Sequence, residues 1–573
     1  MVITISCYII TTVVQRANSM TVYLKSRLLS LQGHKKAALH GKINLLLRHP
    51  IQDRHPKKPA RTRFAPSPTG FLHLGSLRTA LFNYLLAKKT GGQFLLRLED
   101  TDRTRLVPGS EQNLYDSFKW LGIQYDEGPG VNETYGPYRQ SDRTEIYKKY
   151  SDQLISTGHA YRCFCSKERL KGLRDSAMAL KPPTNVTYDR HCAKLSKEDI
   201  RSKIKMGVPY TIRLKSPEIY EPFEDLLHNE INLQPQINPI DVRYDDPILI
   251  KSSGLPTYHF AHVIDDHLME ITHVIRGQEW LPATPKHIVL YKAFGWNPPQ
   301  FIHLPLLAST NNKKLSKRKG DTNIQQLREK GILPEALINF CVLFGWAPPS
   351  PEDPDRKQSY RFSLAELENL FNLNHLTKGN AKLDESRLWN FNKYYLTKRL
   401  SDKTQFSAIA GQIYELLGKK YPNLTLTKVE ELLMLLKGNL ATIYQFESEF
   451  HYLFTKPEYT NNPYSEKFIL QCKQKEANKI LHHMAEKLSS TNVTALIEEI
   501  SKTEEILLKT VFESVRFALA GSRPGLKVPV IISVLGVKEA KDRMLEASAY
   551  LDHVLKNTNS KVDSGSESKL VNK

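Results

Sequence analysis

Cysteine is scarce in this chain. There are six in 573 residues (Cys7, Cys163, Cys165, Cys192, Cys341 and Cys472), too few and too scattered for a disulfide framework, so a reducing compartment is expected. Long apolar runs are missing as well. No window holds the ~18 apolar residues of a membrane span. The nearest approach, MVITISCYIITTVV at residues 1–14, is short and has no charged stretch ahead of it, so a membrane protein is not expected. Glycine and proline, 28 and 32 residues, make up about a tenth of the chain, and 40% of residues are hydrophobic; collagen-like, wholly disordered and coiled-coil classes are excluded. Acid is nearly absent from one end: residues 1–61 hold only Asp53 against eleven lysines and arginines.

What is abundant is positive charge. The net formal charge is +21, of which the first 61 residues carry +10, leaving +11 for the rest. A basic body predicts a polyanionic partner, most simply nucleic acid. The basic, acid-poor leader matches an organellar transit peptide, here a mitochondrial presequence, with a basic RNA-binding arm as the alternative. Met20 is as good a start for it as Met1. Single cores stop growing at roughly 250–300 residues, so several domains are expected.

RTRFAP (61–66) predicts a short strand closing on a Pro-Ser-Pro-Thr-Gly loop, SLRTALFNYLLAKKT a helix capped by Gly91, and QFLLRLED a second strand that delivers Glu99 and Asp100. Such a βαβ unit binds ligands at the carboxyl ends of its strands. Residues 109–158 read as helical. From about residue 160 to 245 the pattern breaks into short β-prone pieces, the mark of an inserted domain, and a helix is expected from Leu281 to Phe294. Beyond residue 331 the pattern is helical, with a capping-box spacing at Thr427 and Glu430. An apolar face follows at Ile506, Leu507, Val511, Val515, Ala518 and Leu519, ending at Gly521, and the tail 557–573 reads as disordered.

Two short motifs carry chemistry. His73-Leu74-Gly75-Ser76 stands at a strand-to-helix junction, where a glycine lets a phosphate approach backbone N–H groups and an imidazole can donate to its oxygens. An ordinary helix start is the alternative. Lys314-Leu315-Ser316-Lys317-Arg318 clusters cations on a loop, suited to the charge that builds on a triphosphate as pyrophosphate leaves; a solvated basic loop is the alternative.

Taken with RFAPSPTGFLHLGSLRTALFNYLLAKKTGGQFLLRLEDTDRTR and YHFAHVIDDHLMEITHVIRGQEW, these motifs closely resemble the class I aminoacyl-tRNA synthetases, and among them the bacterial-type glutamyl-tRNA synthetases. The likeness covers roughly residues 61–550. His73–Ser76 stand at the family's HIGH signature and Lys314–Arg318 at its KMSKS signature. Glutaminyl enzymes typically carry PPEPNG where this chain has Ala65-Pro66-Ser67-Pro68-Thr69-Gly70, and they end in β-barrels rather than helices.

The resemblance implies a multidomain α/β chain: a Rossmann-type catalytic domain with an inserted α+β domain, followed by all-α stem and anticodon-binding domains. Its parts are a leader (1–58), the first catalytic half (59–160), an acceptor-stem-binding insert (161–245), the second catalytic half with the KLSKR loop (246–330), a helical stem-contact region (331–400), a helical anticodon-binding domain (401–556) and the tail (557–573).

It further implies glutamate bound by Arg63, Ala65, Ser67, Glu99, Tyr258, His262 and Arg276, with the arginines on the two carboxylates and Glu99 on the ammonium. Which arginine takes which carboxylate stays open, and a plain Glu99–Arg276 ion pair is the alternative. At His262 the family usually has Asn. For ATP, carried with Mg²⁺, it implies His73, Gly75, Ser76, Glu279, Lys314, Leu315, Ser316, Lys317 and Arg318, with His73, Lys314, Ser316 and Lys317 as the catalytic set. The implied partners are tRNA(Glu), L-glutamate and ATP; the implied state is a monomer in the mitochondrial matrix. Charging of tRNA(Gln) as well stays open.

Some relatives hold zinc through a CxC pair and a later Cys with a His two residues on. Cys163, Cys165 and Cys192 are present, but that last position is Lys194 and the histidine is His191, so zinc and plain reduced thiols remain the two readings. Tyr414, Tyr444 and Phe446 read as helical-domain core rather than anticodon-stacking residues, and Cys341 and Trp346 as core.

Overall fold

The computed structural model describes residues 53–308, 323–349, 360–379, 381–382, 384–460, 462–471, 474–489, 493–521 and 525–566. Most of the leader, Cys7, Cys472 and the KLSKR loop lie outside them. The chain divides into two units, Met1–Lys57 and Lys58–Lys573, and the second is described below. In chain order its main strands are β1 Arg61–Phe64, β2 Gln93–Leu96, β3 Ala160–Cys163, β4 Thr211–Leu214, β5 Phe223–Asp225, β6 Asn229–Ile231, β7 Ile248–Ile250, β8 His273–Gly277 and β9 Gln300–Leu304.

β1 and β2 pair in parallel, Arg63 opposite Leu95, and the helix Leu74–Lys89 connects them as expected. That helix is apolar on nearly every face because it is covered on both sides: the strands lie beneath it, and helices Pro334–Val342 and Leu364–Leu370 pack on it. Gly91, at φ +68°, takes the left-handed conformation after its last turn.

β8 and β9 repeat the parallel arrangement. Thr272, just ahead of β8, joins the two pairs, donating its N–H to the Arg61 carbonyl (2.9 Å) and accepting the Arg61 N–H on its hydroxyl (2.8 Å). On the other side β9 pairs with β5, giving the order β6-β5-β9-β8. Two strands from the segment read as an insert are thus built into the catalytic sheet, while β3, β4 and β7 form a separate antiparallel sheet.

The structure corrects several expectations. Residues 109–158 are two helices, Ser110–Leu121 and Thr144–Ser156, and the span between them carries Gly122, Gly128 and Gly130 at positive φ. The expected helix from Leu281 begins as a tight 3-10 segment, Gln278–Ala283, before the α-helix Thr284–Phe294. The cap near residue 427 is Thr425, whose side chain accepts the Lys428 N–H, so Thr427 lies inside Leu426–Leu436. Leu507 precedes the helix Leu508–Ala520 and is exposed, whereas Val511, Val515, Ala518 and Leu519 are buried. The helix Val537–Ser566 runs into the tail read as disordered. Phe446, Cys341 and Trp346 are core, but Tyr414 and Tyr444 are exposed.

Among the described residues no helix is long and apolar enough to cross a membrane. Two glycines give opposite expectations for stability. A Cβ at Gly92 would overlap the Ala60 carbonyl, whereas one at Gly411, inside the helix Lys403–Leu417, meets nothing within 4 Å. Gly92→Ala is expected to cost ~1–3 kcal/mol and Gly411→Ala to stabilise by ~0.5–1 kcal/mol. Urea unfolding followed by circular dichroism measures both.

Candidate active site

The carboxyl ends of β1 and β2 and the helix Tyr258–Leu268 meet in a buried chain of alternating charges. Parallel pairing brings Arg63 and Arg97 to adjacent strands, and Asp266, wholly buried, neutralises both: it accepts Arg63 Nε at 3.1 Å and Arg97 Nη1 at 2.6 Å. Burial alone would raise the Asp266 pKa, but the Arg63 and Arg97 charges outweigh it and hold the carboxylate below its ordinary value. Asp265 continues the chain, 3.7 Å from Arg97 Nε and accepting Arg143 Nε (2.7 Å), Gln140 Nε2 (2.9 Å) and the Tyr147 hydroxyl (2.9 Å).

Glu99 follows β2. Its backbone N–H donates to the Pro66 carbonyl (3.0 Å), which holds the Pro-Ser-Pro-Thr-Gly loop alongside. One carboxylate oxygen accepts Arg97 Nη2 at 3.1 Å. The other, Oε2, makes no hydrogen bond among the described residues, and neither does Arg63 Nη1. Here burial wins over the Arg97 and Arg63 charges, and the Glu99 pKa is raised. The anticipated alternative, a Glu99–Arg276 ion pair, is not what forms.

Arg276, on β8, has a different environment. Nε donates to His303 Nε2 (3.0 Å), Nη1 to the Tyr258 hydroxyl (3.1 Å) and His287 Nδ1 (3.2 Å), and Nη2 to the Thr284 hydroxyl (2.8 Å). Among the described residues no carboxylate pairs with it. Burial pushes the pKa of His262 and His287 well below the ordinary histidine value and that of His303 to about 4, with Arg276 itself adding to the effect. The imidazoles are therefore neutral at pH 7 and set no second positive charge beside the guanidinium.

His262 is wholly buried, so it reaches the site only through others. Its Nδ1 lies 3.3 Å from Arg63 Nη2, and its Nε2 lies 3.3 Å from both Arg276 Nη1 and Asp266 Oδ2. The expected direct contact with an amino acid is replaced by support of both arginines. Tyr258 packs against Trp280 with ring centroids 4.2 Å apart and planes tilted by 36°, and Ser67 is exposed on its loop.

At the other motif, the His73 side chain caps the helix Leu74–Lys89, Nδ1 accepting the Ser76 N–H (3.3 Å) and Nε2 lying 2.9 Å from the Ser76 hydroxyl. A Cβ at Gly75 would sit 3.2 Å from the His73 ring and 3.7 Å from Leu307, so glycine keeps this corner open. Lys314, Leu315, Ser316, Lys317 and Arg318 lie outside the described residues, but both ends of their segment sit against the motif. Leu307 packs at Gly75, His73 bridges to Asn323, and the Ile324 N–H donates to the Leu72 carbonyl (3.0 Å). Glu279 is exposed just past β8.

The Sγ atoms of Cys163, Cys165 and Cys192 lie within 4.8 Å of one another. They offer three of the four donors a tetrahedral structural zinc takes. His191 and Lys194 are exposed and do not complete the set. The group that approaches is the Tyr188 hydroxyl, 3.2 Å from Cys163 and 3.5 Å from Cys165. The described cysteines are all free thiols.

Sequence reasoning missed Arg97, Asp265, Asp266, His287, His303 and Thr284. The only signal was the acidic pair inside the apolar run FAHVIDDHL.

Residues 59–390 match the catalytic domain of class I tRNA synthetases for glutamate and glutamine, and residues 406–548 match an anticodon-binding domain. The βαβ halves, the capped HIGH-type helix and these two domain matches thus define a class I aminoacyl-tRNA synthetase. The chain is 52% identical over 519 residues to the mitochondrial glutamate–tRNA ligase of Saccharomyces cerevisiae, covering 89% of this chain and 94% of that one. It is 40% identical over 511 residues to the glutamate–tRNA ligase of Alkaliphilus metalliredigens, covering 86% and 99%. A crystal structure of a glutamate tRNA ligase from Elizabethkingia meningosepticum in complex with its amino acid superposes with a TM-score of 0.69 at 32% identity, over 86% of this chain and all of that one. The chain belongs to the glutamate–tRNA ligase family.

Asp266 is the residue whose loss this site should tolerate least. Asp266→Asn leaves two buried guanidinium groups without their shared counter-charge and is expected to destabilise the chain by ~3–5 kcal/mol, read as a lower urea midpoint. Because the folded Asp266 pKa is depressed, its contribution is complete at neutral pH and lost only as pH falls through that lowered value. The gap between wild type and variant should therefore hold from pH 7 to 5 and close in acid.

Proposed function

We propose that this chain joins L-glutamate to tRNA(Glu) through glutamyl-adenylate, consuming ATP, in the mitochondrial matrix. The observation that carries the glutamate pocket is Arg276, a buried guanidinium ringed by neutral partners and facing no carboxylate among the described residues. Arg63 adds an Nη1 and Glu99 an Oε2 that the described residues leave unused, which suits a ligand with two carboxylates and one ammonium. Arg63 and Arg276 take the carboxylates, Glu99 takes the ammonium, Tyr258, Ala65 and Ser67 line the pocket, and His262 buttresses the arginines.

In the first step an oxygen of the α-carboxylate attacks the α-phosphorus of ATP, the bond to the bridging oxygen breaks, and pyrophosphate leaves. No side-chain nucleophile is needed; positioning and neutralisation of charge are. His73 and the N-terminal N–H groups at Gly75 and Ser76 suit the phosphates, Glu279 the nucleoside, and Lys314, Ser316, Lys317 and Arg318 the leaving pyrophosphate. Mg²⁺ carried on ATP would supply further neutralisation; the one metal-like cluster among the described residues is made of thiols, which do not suit a hard cation. In the second step the terminal 2′-hydroxyl of tRNA attacks the mixed anhydride, and AMP leaves. The mitochondrial names of two fungal relatives support the location, as does the basic leader.

The deciding experiment is ATP-dependent charging of purified mitochondrial tRNA(Glu) and tRNA(Gln) with labelled glutamate or glutamine. Glutamate on tRNA(Glu) is expected; label on tRNA(Gln) too would make the enzyme non-discriminating, and transfer of glutamine would overturn the pocket. Within it, Arg276→Gln is expected to lower kcat/KM for glutamate by at least about thirtyfold, with the KM for ATP little changed. Lys317→Ala should slow adenylate formation by ~10²-fold or more while tRNA binding holds.

Because Glu99 binds an ammonium only when ionised and its pKa is raised, the KM for glutamate should climb as pH falls through a group titrating above the usual 4.5. Glu99→Gln should abolish that acid limb. A limb unchanged in the variant would remove Glu99 from the ammonium.

A further inference from the structure

A guanidinium selects a carboxylate only if its donors are aimed, and the group that aims Arg276 is itself set from outside both βαβ halves. His303 on β9 accepts Arg276 Nε–H through Nε2 at 3.0 Å. An imidazole nitrogen accepts only when it carries no proton, so the tautomer decides whether this contact is a bond or a clash of two N–H groups. Asp225 sets it. Its Oδ2 lies 2.7 Å from His303 Nδ1 and also accepts the His303 backbone N–H at 3.0 Å.

The carboxylate is itself held in place. Oδ1 accepts the N–H groups of Leu227 and His228 at 2.9 and 2.8 Å, and the side chain is wholly buried. The His228 ring in turn lies 2.9 Å from the His303 carbonyl, fastening the turn after β5 to β9. Asp225 therefore cannot turn away. A turn-stabilising aspartate needs only the oxygen that faces Leu227 and His228, whereas this one spends its second oxygen on the imidazole.

We propose that Asp225 and His303 are positioning residues for recognition of the amino-acid carboxylate: Asp225, contributed by β5 of the inserted segment, fixes the His303 tautomer whose Nε2 orients Arg276. The inference rests on Arg276 being the carboxylate-binding group. Thr284 completes the arrangement, its hydroxyl accepting Arg276 Nη2 and lying 3.2 Å from His303 Nε2.

Asp225→Asn tests the tautomer. The asparagine keeps one oxygen for the turn and presents an NH₂ group to His303, forcing the proton onto Nε2, where it opposes Arg276. In ATP–pyrophosphate exchange by the full chain with tRNA(Glu) present, the KM for glutamate is expected to rise about tenfold to a hundredfold, with the KM for ATP and for tRNA within about threefold of wild type. His303→Leu, which removes the acceptor, should match it. His303→Gln, which offers a carbonyl oxygen to the guanidinium, should recover part of the loss and so decides the matter should Asp225→Asn not fold.

Arg276→Gln separates the positioning role from the pocket itself. If it raises the glutamate KM while Asp225→Asn and His303→Leu leave it within twofold, the positioning role is wrong and the pocket stands. If Arg276→Gln itself leaves the glutamate KM unchanged, the pocket falls and the positioning role with it. A rise shared equally by glutamate, ATP and tRNA, or His303→Gln behaving like His303→Leu, would mark the pair as merely structural and also overturn the proposal.

Discussion

Asp266 between Arg63 and Arg97 is the contact on which the rest of the site depends. Parallel pairing of β1 and β2 delivers two arginines to one end of the sheet, side by side and buried. Without a shared counter-ion their repulsion and desolvation would splay the strand ends. Asp266 is placed by an apolar helix that has no surface face to lose, since Phe260 through Asp266 are all buried. Once Arg97 is fixed, it fixes Glu99; once Arg63 is fixed, one of its nitrogens is left over for a ligand. Such a network contributes little net stability by itself, because burying its charges is costly. What it secures is a single arrangement of the strand ends.

The two pocket arginines are kept available by opposite means. Arg63 is neutralised on one edge and free on another. Arg276 is not neutralised by any side-chain carboxylate among the described residues, and its histidine neighbours are groups that burial keeps neutral. A hydrogen-bonded cage of histidine, tyrosine and threonine orients a guanidinium without cancelling its field. That suits a site in which a ligand carboxylate, rather than the protein, supplies the counter-charge.

This difference also explains what was legible in the sequence. The βαβ unit, its helix and the loop from Ala65 to Gly70 are local patterns and stand where expected, the helix opening at Leu74, two residues ahead of the expected Ser76. So did the burial of Cys341 and Trp346, which lie in a dense apolar run. The ionic network is not local: Asp266 meets arginines some 170 and 200 positions away, and His303 meets an aspartate 78 positions earlier. Two consecutive acids within FAHVIDDHL marked where something had to be neutralised, but not by what. Tyr414 lies on the helix Lys403–Leu417 and Tyr444 in the turn before the short helix Gln445–Ser448; both are exposed, because neither a helical pattern nor an aromatic composition says which rings a neighbouring element covers. The helical pattern is legible to residue 556, but not its continuation into the polar tail: the helix Val537–Ser566, which buries Ala540, Met544, Ala547 and Leu551, runs past that point.

Composition shift marks residues 161–245 as an insertion, yet β5 hydrogen-bonds to β9, and the order β6-β5-β9-β8 makes β9 an interior strand. Were the segment a module merely tethered to the catalytic core, β9 would be an unpaired edge presenting bare N–H and C=O groups. Instead the segment supplies the neighbour that covers β9, and with it the buried carboxylate beneath His303. The sheet that positions Arg276 is thus complete only when the chain between its two halves has folded onto it. The inserted segment must accordingly be counted as part of the catalytic core, since the geometry of the amino-acid pocket is written partly in its residues.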